Sequence, residues 1–545
     1  MMISDMLLEL ADLLELKGEN RFRINAYRKA AAAIENYDVK DMYEKSGIDG
    51  LLEINGVGRG IAEKIEEALK TGKIRELEEL REELSYAELM AVPGIGPRTA
   101  RELNAHLGVK SIEELERAAR ERRVRRIPGM GEKTEKNILR GIELWKSSRE
   151  RKTLAYATAI GEGVIAKLGG EGLTIAGSLR RGRETIGDID ILAISDAPDE
   201  IIKKFVLLAE NVLMQGTTRA SIIMNDMQVD LRVVKEESFG SALLYFTGSK
   251  EHNIRLREIA QRKGLKINEY GVFRGENRIG GREEREIYGA LGLQYIPPEI
   301  REDLGEIELA QKNGIPELAD HVRGDLHVHS LWSDGKMTIS SIAQRAEALG
   351  YEWVAVCDHS KSLKVANGLD EKRFTDRNRE IDSTESRVKI LKGAEVEILD
   401  NGDLDLSARA LEDLDVVLAA VHTKLNMSER EMTNRVIRAL NSGMVDIFAH
   451  PTGVMHGQRE GYRIDFERIA GCDVAFEINC SPDRMDLNGS NIRKIKQINE
   501  KAIFSIGTDA HAEEQMDNMR FGIKTARRGM LEERDLVGES WIKAR

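Results

Sequence analysis

Apolar and polar residues follow three different patterns along the 545-residue chain. Residues 1 to about 150 have helical spacing, with Gly and Pro only at points of interruption, which predicts an all-helical region. From about 153 to 240, short alternating runs are mixed with helical stretches, which is typical of an α+β domain. After about 320, apolar runs end in polar residues and alternate with helical segments such as 339–349, which predicts a β/α barrel.

One predicted strand, Asp188-Ile-Asp-Ile-Leu-Ala-Ile194, carries two acids in alternate positions. Side chains alternate between the faces of a strand, so Asp188 and Asp190 share one face while Ile189 and Ile191 pack on the other. Neighbouring carboxylates repel each other unless a cation lies between them, and Mg²⁺ suits oxygen ligands. The alternative is a surface strand with two solvated aspartates, and the motif that precedes the strand argues against it.

The preceding turn has groups that suit a phosphate. Gly177 and Ser178 can present backbone N–H groups to phosphate oxygens, and positive charge follows at Arg180, Arg181 and Arg183. A later strand, 227–234, has Asp230 on its polar face as a candidate third carboxylate. Two metals held by three acids can activate a 3′-hydroxyl and clamp a triphosphate, so these residues predict nucleotidyl transfer.

A Gly-x-Gly turn recurs three times in the helical region, each time after an apolar residue and before a predicted helix start. Glycines permit a tight turn, and a helix N-terminus offers free N–H donors to a phosphate. The repeat resembles the helix-hairpin-helix motif, which binds DNA backbones without reading their sequence. An ordinary helix connector is the alternative, which the repetition disfavours. The candidate DNA-binding residues are Gly56, Gly58, Gly94, Gly96, Gly129 and Gly131.

Histidine is scarce, with ten in the chain, and most of them lie after residue 320. Gly324-Asp-Leu-His-Val-His329 has two imidazoles on one strand face, where they can share a metal. Other polar residues end apolar runs or lie in like positions: His359, Glu395, His422, His450, Asp509 and His511. A β/α barrel brings such strand ends to one face, so the pattern predicts a multi-metal site for phosphoester hydrolysis.

Composition restricts the classes of function. The formal charge of −12 argues against a polycation that coats DNA, although it leaves room for local basic surfaces. Hydrophobic residues make up 41% of the chain, which is enough for packed cores and excludes a disordered protein. The three cysteines have no disulfide or metal-ligand spacing, which favours a reducing cytoplasm. No apolar run approaches the ~18 residues of a membrane span, so no membrane partner is expected.

Residues 1 to about 300 resemble a family X DNA polymerase of the pol β type. The matching strings are Gly177-Ser-x-Arg-Arg-Gly182, Asp188-x-Asp190, Asp230 in its strand, and Tyr245-Phe-Thr-Gly-Ser249. The resemblance implies gap-filling synthesis with Mg²⁺ or Mn²⁺ held by Asp188, Asp190 and Asp230, with Asp230 activating the primer hydroxyl. The nucleotide site that it implies consists of Gly177, Ser178, Arg181, Gly187, Tyr245, Phe246, Gly248, Asn253 and Arg257. Lys64 falls on the family's Schiff-base lysine for lyase activity, and the alternative is an ordinary lysine on an exposed helix face.

Residues from about 320 to 545 resemble the PHP (polymerase and histidinol phosphatase) family through the ordered set His-x-His, Asp, His, Glu, His, His, Asp-x-His. The resemblance implies up to three divalent metals, Mn²⁺ or Zn²⁺. The ligands of the first would be His327, His329, Glu395 and Asp509. The ligands of the second would be Glu395, His422 and His450, with Glu395 bridging, and those of the third Asp334, His359 and His511.

These resemblances imply a multidomain fold class. It comprises a helical N-terminal helix-hairpin-helix region, an α+β nucleotidyltransferase palm with a thumb, and an α/β distorted barrel of the PHP kind. The expected boundaries are 1–75 for a lyase-like helical domain, 76–150 for a fingers-like DNA-binding domain, 151–240 for the palm, 241–298 for the thumb, 299–320 for a polar linker and 321–545 for the PHP phosphoesterase domain.

A polymerase followed by a PHP domain resembles the layout of bacterial and archaeal PolX enzymes. The implied function is synthesis at short gaps in base excision repair, with a separate 3′–5′ exonuclease or phosphoesterase site suited also to abasic-site or 3′-end processing. The expected partners are gapped or nicked DNA and dNTPs, and the expected form is a cytoplasmic, nucleoid-associated monomer. Two alternatives stay open: a histidinol-phosphate-like phosphatase with an inactive polymerase half, and a non-catalytic DNA-bridging scaffold.

Overall fold

The computed structural model describes residues 3–17, 19–34, 37, 39–83, 86–149, 151–538 and 541. The chain forms two compact units, one of residues 1–150 and 202–230 and one of residues 151–201 and 231–545. Among the helices of the described residues, none is both long and apolar enough to cross a bilayer.

The described part of 1–150 in the first unit consists mainly of helices, as the spacing predicts. The helices are α1 (Ile3–Lys17), α2 (Arg21–Ile34), α3 (Val39–Leu52), α4 (Arg59–Thr71), α5 (Arg75–Glu83), α6 (Pro97–Leu107), α7 (Ile112–Arg120) and α8 (Glu132–Arg149). Helix α4 illustrates the principle, because it buries Ile61, Ile65 and Ala68 on one face at helical spacing. These faces pack into a shared core.

Residues 151–240 alternate between strands and helices. The elements are β1 (Lys152–Thr153), α9 (Leu154–Leu168), β2 (Leu173–Ile175), α10 (Gly177–Arg180), β3 (Thr185–Ile186), β4 (Asp188–Ile194), α11 (Pro198–Val206), β5 (Asn211–Gln215), β6 (Arg219–Met224) and β7 (Met227–Val234). In the second unit, β2 pairs antiparallel with the acid strand β4. In the first unit, β5 pairs antiparallel with β6.

The next elements form the region expected as the thumb. They are α12 (Phe239–Thr247), α13 (Lys250–Arg262), β8 (Lys266–Asn268), β9 (Gly271–Arg274), β10 (Asn277–Gly280), α14 (Glu284–Ala290) and α15 (Glu306–Gln311). The three strands form an antiparallel sheet in the order β10-β9-β8. The polar stretch 299–320, expected as a linker, contains α15 and buries Ile307 in the thumb core. Its Arg301 is fully buried and donates to Glu284 at 2.6 Å, so this stretch packs against the region expected as the thumb.

The last part of the chain forms a nearly closed parallel barrel. Its strands are β11 (Gly324–Val328), β12 (Trp353–Val356), β13 (Lys389–Glu397), β14 (Val416–Ala420), β15 (Ile447–Phe448), β16 (Ala475–Asn479) and β17 (Phe504–Gly507). The helices are α16 (Ile339–Ala348), α17 (Glu371–Ser383), α18 (Ala408–Glu412), α19 (Glu429–Leu440), α20 (Phe466–Ile469), α21 (Gly489–Ile498) and α22 (Met519–Arg528). The strands follow one another in chain order, and a bridge from Val328 to Ala510 brings the first and last together.

The strand ends of this barrel determine where its polar groups lie. Strands β12 and β14 are buried along their whole length, as their continuous apolar runs predict. Because all the strands are parallel, their carboxyl ends meet at one face. The predicted multidomain fold class, with helical, α+β and barrel parts, is confirmed.

Candidate active sites

The first candidate site begins at the acid strand. Along β4, Asp188 is exposed and Asp190 is half-buried, whereas Ile189 and Ile191 are buried, as expected for alternating faces. Gly177 opens α10 with a φ of 63°, and a Cβ atom on it would lie 2.1 Å from Asp190 Oδ2. Glycine is therefore required for α10 to approach the acid this closely.

The third predicted acid lies on β7. Asp230 is half-buried, and its Oδ2 accepts a hydrogen bond from Gln228 Nε2 at 2.9 Å. The two residues are two positions apart on a strand and therefore share a face. Because an amide is neutral, Gln228 orients the carboxylate without neutralising its charge.

The arginines at the end of α10 bind to the thumb. Arg180 donates to both carboxylate oxygens of Glu284, at 2.8 and 2.7 Å. Burial opposes the ionisation of Glu284, but its paired arginines hold its pKa at about 2. Arg181 donates from Nε to Glu302 at 3.3 Å and from Nη1 to the Thr247 carbonyl. The basic segment is thus held by charged and backbone acceptors of the thumb.

The other residues of the predicted nucleotide site lie on α12, on α13 and in turns: Tyr245, Phe246, Gly248, Asn253, Arg257 and Gly187. Asn253 Nδ2 donates to the Tyr245 carbonyl at 2.8 Å, which joins α13 to α12. Gly248 follows α12 with a φ of 70°, and a Cβ on it would lie 3.1 Å from Arg181 Nη1. The structure therefore brings the sequence-distant Gly248 and Arg181 together.

The three predicted hairpins share one backbone form. The first glycine of each has a positive φ, with values of 94°, 88° and 82° for Gly56, Gly94 and Gly129. Gly58 and Gly96 are the N-cap residues of α4 and α6, and no side chain caps either helix. A Cβ built on any of the six glycines, including Gly131, would meet no atom within 4 Å. These turns leave room for another backbone to approach their free N–H groups.

The second candidate site lies at the carboxyl face of the barrel. The predicted ligands come from the ends of successive strands: His327 and His329 from β11, His359 from β12, Glu395 from β13, His422 from β14, His450 from β15, and Asp509 and His511 from β17, with Asp334 after β11. Several are almost completely buried: His327 and His329 are 0% exposed, and Glu395 and His450 are 1% exposed.

Glu395 lies at the centre of this cluster. Its Oε1 is 2.7 Å from His450 Nε2 and 3.3 Å from His422 Nε2. Its Oε2 is 2.8 Å from His359 Nδ1 and 3.6 Å from His327 Nε2. His329 Nε2 lies 3.7 Å from the same Oε2, so one carboxylate faces five imidazoles, which is the arrangement that a bridging ligand requires.

The ligand atoms fall into three groups, and within each group all atoms lie within 4.8 Å of one another, close enough to hold one ion. The groups are His327, His329 and Asp509; His329, Asp334, His359 and His511; and His359, Glu395 and His422. The groups overlap with the three predicted ligand sets. They differ in that His329 and His359 each belong to two groups, while His450 contacts Glu395 from outside them.

Buried atoms in the cluster test whether metals fit. Four buried polar atoms make no hydrogen bond of suitable geometry to any described residue: His329 Nδ1, His359 Nδ1, His450 Nδ1 and Glu395 Oε2. This includes His359 Nδ1 and Glu395 Oε2, which lie 2.8 Å apart without hydrogen-bond geometry. An unsatisfied buried polar atom is costly. The facing nitrogen and oxygen atoms are 2.7 to 4.0 Å apart. Atoms that share an ion at bond lengths of about 2.0–2.2 Å lie at such separations. The residues present therefore fit divalent metals.

Comparison with known proteins covers both halves of the chain. Four families match: "Helix-hairpin-helix domain" at residues 2–74, "SAM-like Helix-hairpin-helix tandem" at 86–143, "DNA polymerase beta thumb" at 242–302 and "PHP domain" at 325–472. The chain is 37% identical to the DNA polymerase/3′-5′ exonuclease PolX of Bacillus subtilis (strain 168), over 98% of this chain and 96% of that protein. The chain belongs to the PolX family.

Two further relatives match parts of this PolX chain. It is 25% identical to DNA polymerase lambda of Rattus norvegicus, with 55% of the chain and 56% of that protein covered. It is 32% identical to a probable phosphatase of Syntrophotalea carbinolica (strain DSM 2380 / NBRC 103641 / GraBd1), with 34% of the chain and 79% of that protein covered. The Bacillus relative matches almost the whole length, so the two halves occur together in one family.

Burial and neighbouring charges determine which ligands of the PolX chain carry protons. Burial, with His511 and His359 nearby, lowers the pKa of His329 to about 3, so this imidazole stays in the neutral form that binds metals. For His422 and His511, burial opposes protonation, but the adjacent carboxylates raise the pKa of each to about 9. Metal ligands must be deprotonated, so binding here releases protons and weakens as the pH falls.

Sequence reasoning missed the groups that orient the histidines. His327 Nδ1 lies 2.6 Å from Glu477 Oε1, and His422 Nδ1 lies 2.8 Å from Glu397 Oε2. A carboxylate on one ring nitrogen directs the other nitrogen toward a metal. Both acids lie near the carboxyl ends of buried strands, β16 and β13. This position in the sequence could have marked them as residues of the barrel site. Arg484 was also missed: its Nε lies 3.3 Å from Asp509 Oδ2, and its Nη1 is buried without a hydrogen-bond partner.

Lys64 lies on α4, with a side chain that is 20% exposed. Its ammonium group forms an ion pair with Glu76, which also accepts a hydrogen bond from Arg23 at 2.5 Å. An amine held as a cation in an ion pair is not a nucleophile. Lyase chemistry at Lys64 would therefore require this pair to separate.

Proposed function

We propose that the chain is a DNA-directed DNA polymerase that fills short gaps in base excision repair and carries a separate 3′–5′ exonuclease or phosphoesterase site in its barrel. The observation that carries this proposal is the presence, on one chain, of an acid strand beside a Gly-Ser turn and of a buried histidine–carboxylate cluster. The full-length Bacillus relative is named a DNA polymerase/3′-5′ exonuclease, which supports the pairing of the two activities.

At the polymerase site, Asp188, Asp190 and Asp230 would hold two Mg²⁺ or Mn²⁺ ions. Ions bound there lower the pKa of a primer 3′-hydroxyl and neutralise triphosphate charge. Asp230 would take up the proton of that hydroxyl, and Gln228 keeps its carboxylate oriented for the transfer. The exposure of Asp188 suits ions that arrive together with substrate phosphates.

The nucleotide would bind along α10 and α12. Ser178, Arg181 and the backbone at Gly177 and Gly187 would contact the triphosphate, because they offer N–H donors and positive charge. The remaining contacts would be with the sugar, from Tyr245, Phe246 and Gly248, and with the base pair, from Asn253 and Arg257. The bond from Asn253 to the Tyr245 carbonyl supports a shared pocket for sugar and base.

In the barrel, up to three Mn²⁺ or Zn²⁺ ions would be held by the three ligand sets: His327, His329, Glu395 and Asp509; Glu395, His422 and His450; and Asp334, His359 and His511. Ions bound there activate water and neutralise a phosphodiester. Glu477 and Glu397 would hold His327 and His422 in the ligating tautomer. Arg484 would donate its unpartnered Nη1 to a phosphate oxygen.

The DNA would be gripped by the three hairpins, through the backbone at Gly56, Gly58, Gly94, Gly96, Gly129 and Gly131. The substrates would be gapped or nicked DNA and dNTPs. We infer that the protein is a monomer that acts on nucleoid DNA in the cytoplasm. The domains that follow from this assignment are a lyase-like domain at 1–75, a fingers-like domain at 76–150, a palm at 151–240, a thumb at 241–298, a connecting segment at 299–320 and a PHP domain at 321–545. Lyase activity at Lys64 would require its ion pair with Glu76 to separate.

A small-molecule phosphatase of the histidinol-phosphate kind is the second candidate. The match to a probable phosphatase over 79% of that relative favours it. Three hairpins with free backbone donors disfavour it, because a small phosphate ester needs no DNA grip. Turnover of histidinol phosphate without hydrolysis of any DNA end would favour the phosphatase.

The first experiment follows a 5′-labelled primer on a gapped template with Mn²⁺, with and without dNTPs. We expect the primer to lengthen when dNTPs are present and to shorten when they are absent. Lengthening alone would contradict exonuclease activity in the barrel, and shortening alone would contradict polymerase activity. An unchanged primer in both lanes would contradict the whole proposal.

A further inference from the structure

Helix α22, in the C-terminal half, ends against the polymerase half. Its last residue, Arg528, is 5% exposed, and its Nη1 donates to the Arg181 carbonyl at 3.0 Å. One turn earlier, the helix packs so closely on Gly182 that a Cβ there would lie 3.2 Å from Lys524 Cβ. The segment that follows the last predicted metal ligands of the barrel thus reaches the turn that carries Arg181.

The carbonyl that Arg528 binds belongs to the C-cap of α10. The final carbonyls of a helix have no partner within the helix, and a cation at that end is favourable. At the other end of α10 lie Gly177 and Ser178. Because α10 has only four residues, the hydrogen bond from Arg528 at its C-terminus also restrains the position of its N-terminus.

Arg528 also shares an acceptor with the Arg181 side chain. Glu302 Oε1 lies 3.3 Å from Arg181 Nε, 3.2 Å from Arg528 Nη1 and 3.5 Å from Arg183 Nη1. The Glu302 side chain is 13% exposed; burial opposes its ionisation, but the arginines lower its pKa. One half-buried carboxylate thus faces three guanidinium groups.

A triphosphate and Glu302 are rival anions for Arg181. The charge of Arg528 beside the same carboxylate oxygen weakens the hold of Glu302 on Arg181. We infer that Arg528 is a positioning residue for nucleotide binding, which the C-terminal half supplies to the polymerase site. This inference rests on the proposed role of Arg181 as a triphosphate contact.

The test measures steady-state dNTP incorporation by the full chain and its variants. Arg528→Gln should raise the KM for dNTP about tenfold with kcat within about twofold, as expected for the loss of one hydrogen bond to a charged group. Adding Glu302→Gln should bring the KM part of the way back, because the rival anion is then neutral while the bond to the Arg181 carbonyl is still missing. A KM within about twofold of the parent value for Arg528→Gln, or a double variant as poor as the single one, would overturn the inference.

Arg527→Gln is the matched control. Arg527 precedes Arg528 on α22, but it donates to the Leu318 carbonyl at 2.8 Å and to Asp320 at 2.5 Å. It should leave the KM unchanged, and an equal rise in both variants would mean that α22 acts only through stability. DNA-end hydrolysis at the parent rate would show that Arg528→Gln has folded.

Two further variants separate the possible failures. If Arg181→Gln leaves the KM for dNTP unchanged, the proposed role of Arg181 is wrong and the inference falls with it. If Arg181→Gln raises the KM but Arg528→Gln does not, only the inference is wrong. Glu302→Gln alone, with Arg528 still present, should lower the KM for dNTP severalfold. A raised KM would instead mean that Glu302 holds Arg181 in place, which contradicts the inference that Glu302 competes with the triphosphate.

Discussion

The acid strand and the histidine cluster differ in how much of a metal site the protein itself provides. Asp188 is exposed and Asp190 and Asp230 are half-buried, whereas the side chains of His327 and Glu395 are 0% and 1% exposed. Exposed carboxylates leave most positions around a hard cation to water and substrate phosphates. Buried imidazoles and carboxylates that face one another provide most of the positions themselves. With metals bound as proposed, the first site would be completed by water and substrate phosphates, and the second mostly by side chains that the fold brings together.

The two sites also differ in how far apart their residues lie along the chain. The central motif of the first site spans Gly177 to Asp190, while the ligands of the second run from His327 to His511. A local motif depends on a turn and one strand, whereas a dispersed cluster depends on the register of a whole barrel. Changes in one site should therefore leave the other intact, and this independence can be tested.

The largest effect is expected from Asp190→Ala. The acid shares its strand face with Asp188 and contacts the glycine that opens α10, so its loss removes a proposed metal ligand. Synthesis on gapped DNA should fall about 10³-fold or more, as for the loss of several kcal/mol of transition-state stabilisation. Primer extension and DNA-end hydrolysis would be measured on the same sample.

Hydrolysis by Asp190→Ala should stay at the parent rate. Asp196→Ala is the matched control, because Asp196 is exposed just after the same strand. Loss of hydrolysis together with synthesis would contradict the separation of the two sites.

His327→Ala should have the reverse effect. His327 lies within 3.7 Å of Glu395 and Asp509, so its removal takes a nitrogen from the centre of the cluster. Hydrolysis should fall about 10²-fold or more, and metal content measured on the purified protein should decrease, while synthesis is retained. His456→Ala is the control, since His456 lies outside the ligand groups found among the described residues. A variant with full metal content would remove His327 from the site.

Barrel geometry explains why the sequence predicted which residues meet at this face. A histidine at the end of an apolar run, such as His422 after β14 or His450 after β15, is brought to the carboxyl face by parallel strands alone. The orientation of each imidazole ring could not be predicted in this way, because it depends on acids from other parts of the barrel. Glu477 lies 150 residues from His327, and no local pattern connects the two.

Buried charge was the other feature that the sequence could not reveal. The stretch 299–320 has the composition of a linker, yet Arg301 is fully buried on Glu284 and Glu306 lies 2.7 Å from the buried His252. The sequence does not distinguish a charged residue that is buried with a partner from one that is exposed to solvent. Only the fold supplies the partner that makes burial possible.

The smallest effect, and the sharpest test of the comparison, is expected from Glu477→Gln. Glu477 accepts from His327 Nδ1 at 2.6 Å and from the His450 backbone N–H at 2.7 Å, so it orients one ligand and the backbone of another. An amide can still accept these bonds but lacks the charge that raises the basicity of the ring. Metal affinity or hydrolysis should fall about 10- to 100-fold, the usual cost of losing such a partner.

Metal titration of the variant, followed by DNA-end hydrolysis at saturating metal, would separate weakened binding from altered chemistry. Glu467→Gln is the matched control, because Glu467 is exposed on α20 of the same barrel. Synthesis should not change in either variant, since the acid strand takes no support from β16. If Glu477→Gln bound metal and hydrolysed DNA like the control, the barrel site would not need orienting acids. That result would contradict the proposal that side chains from other strands orient its ligands.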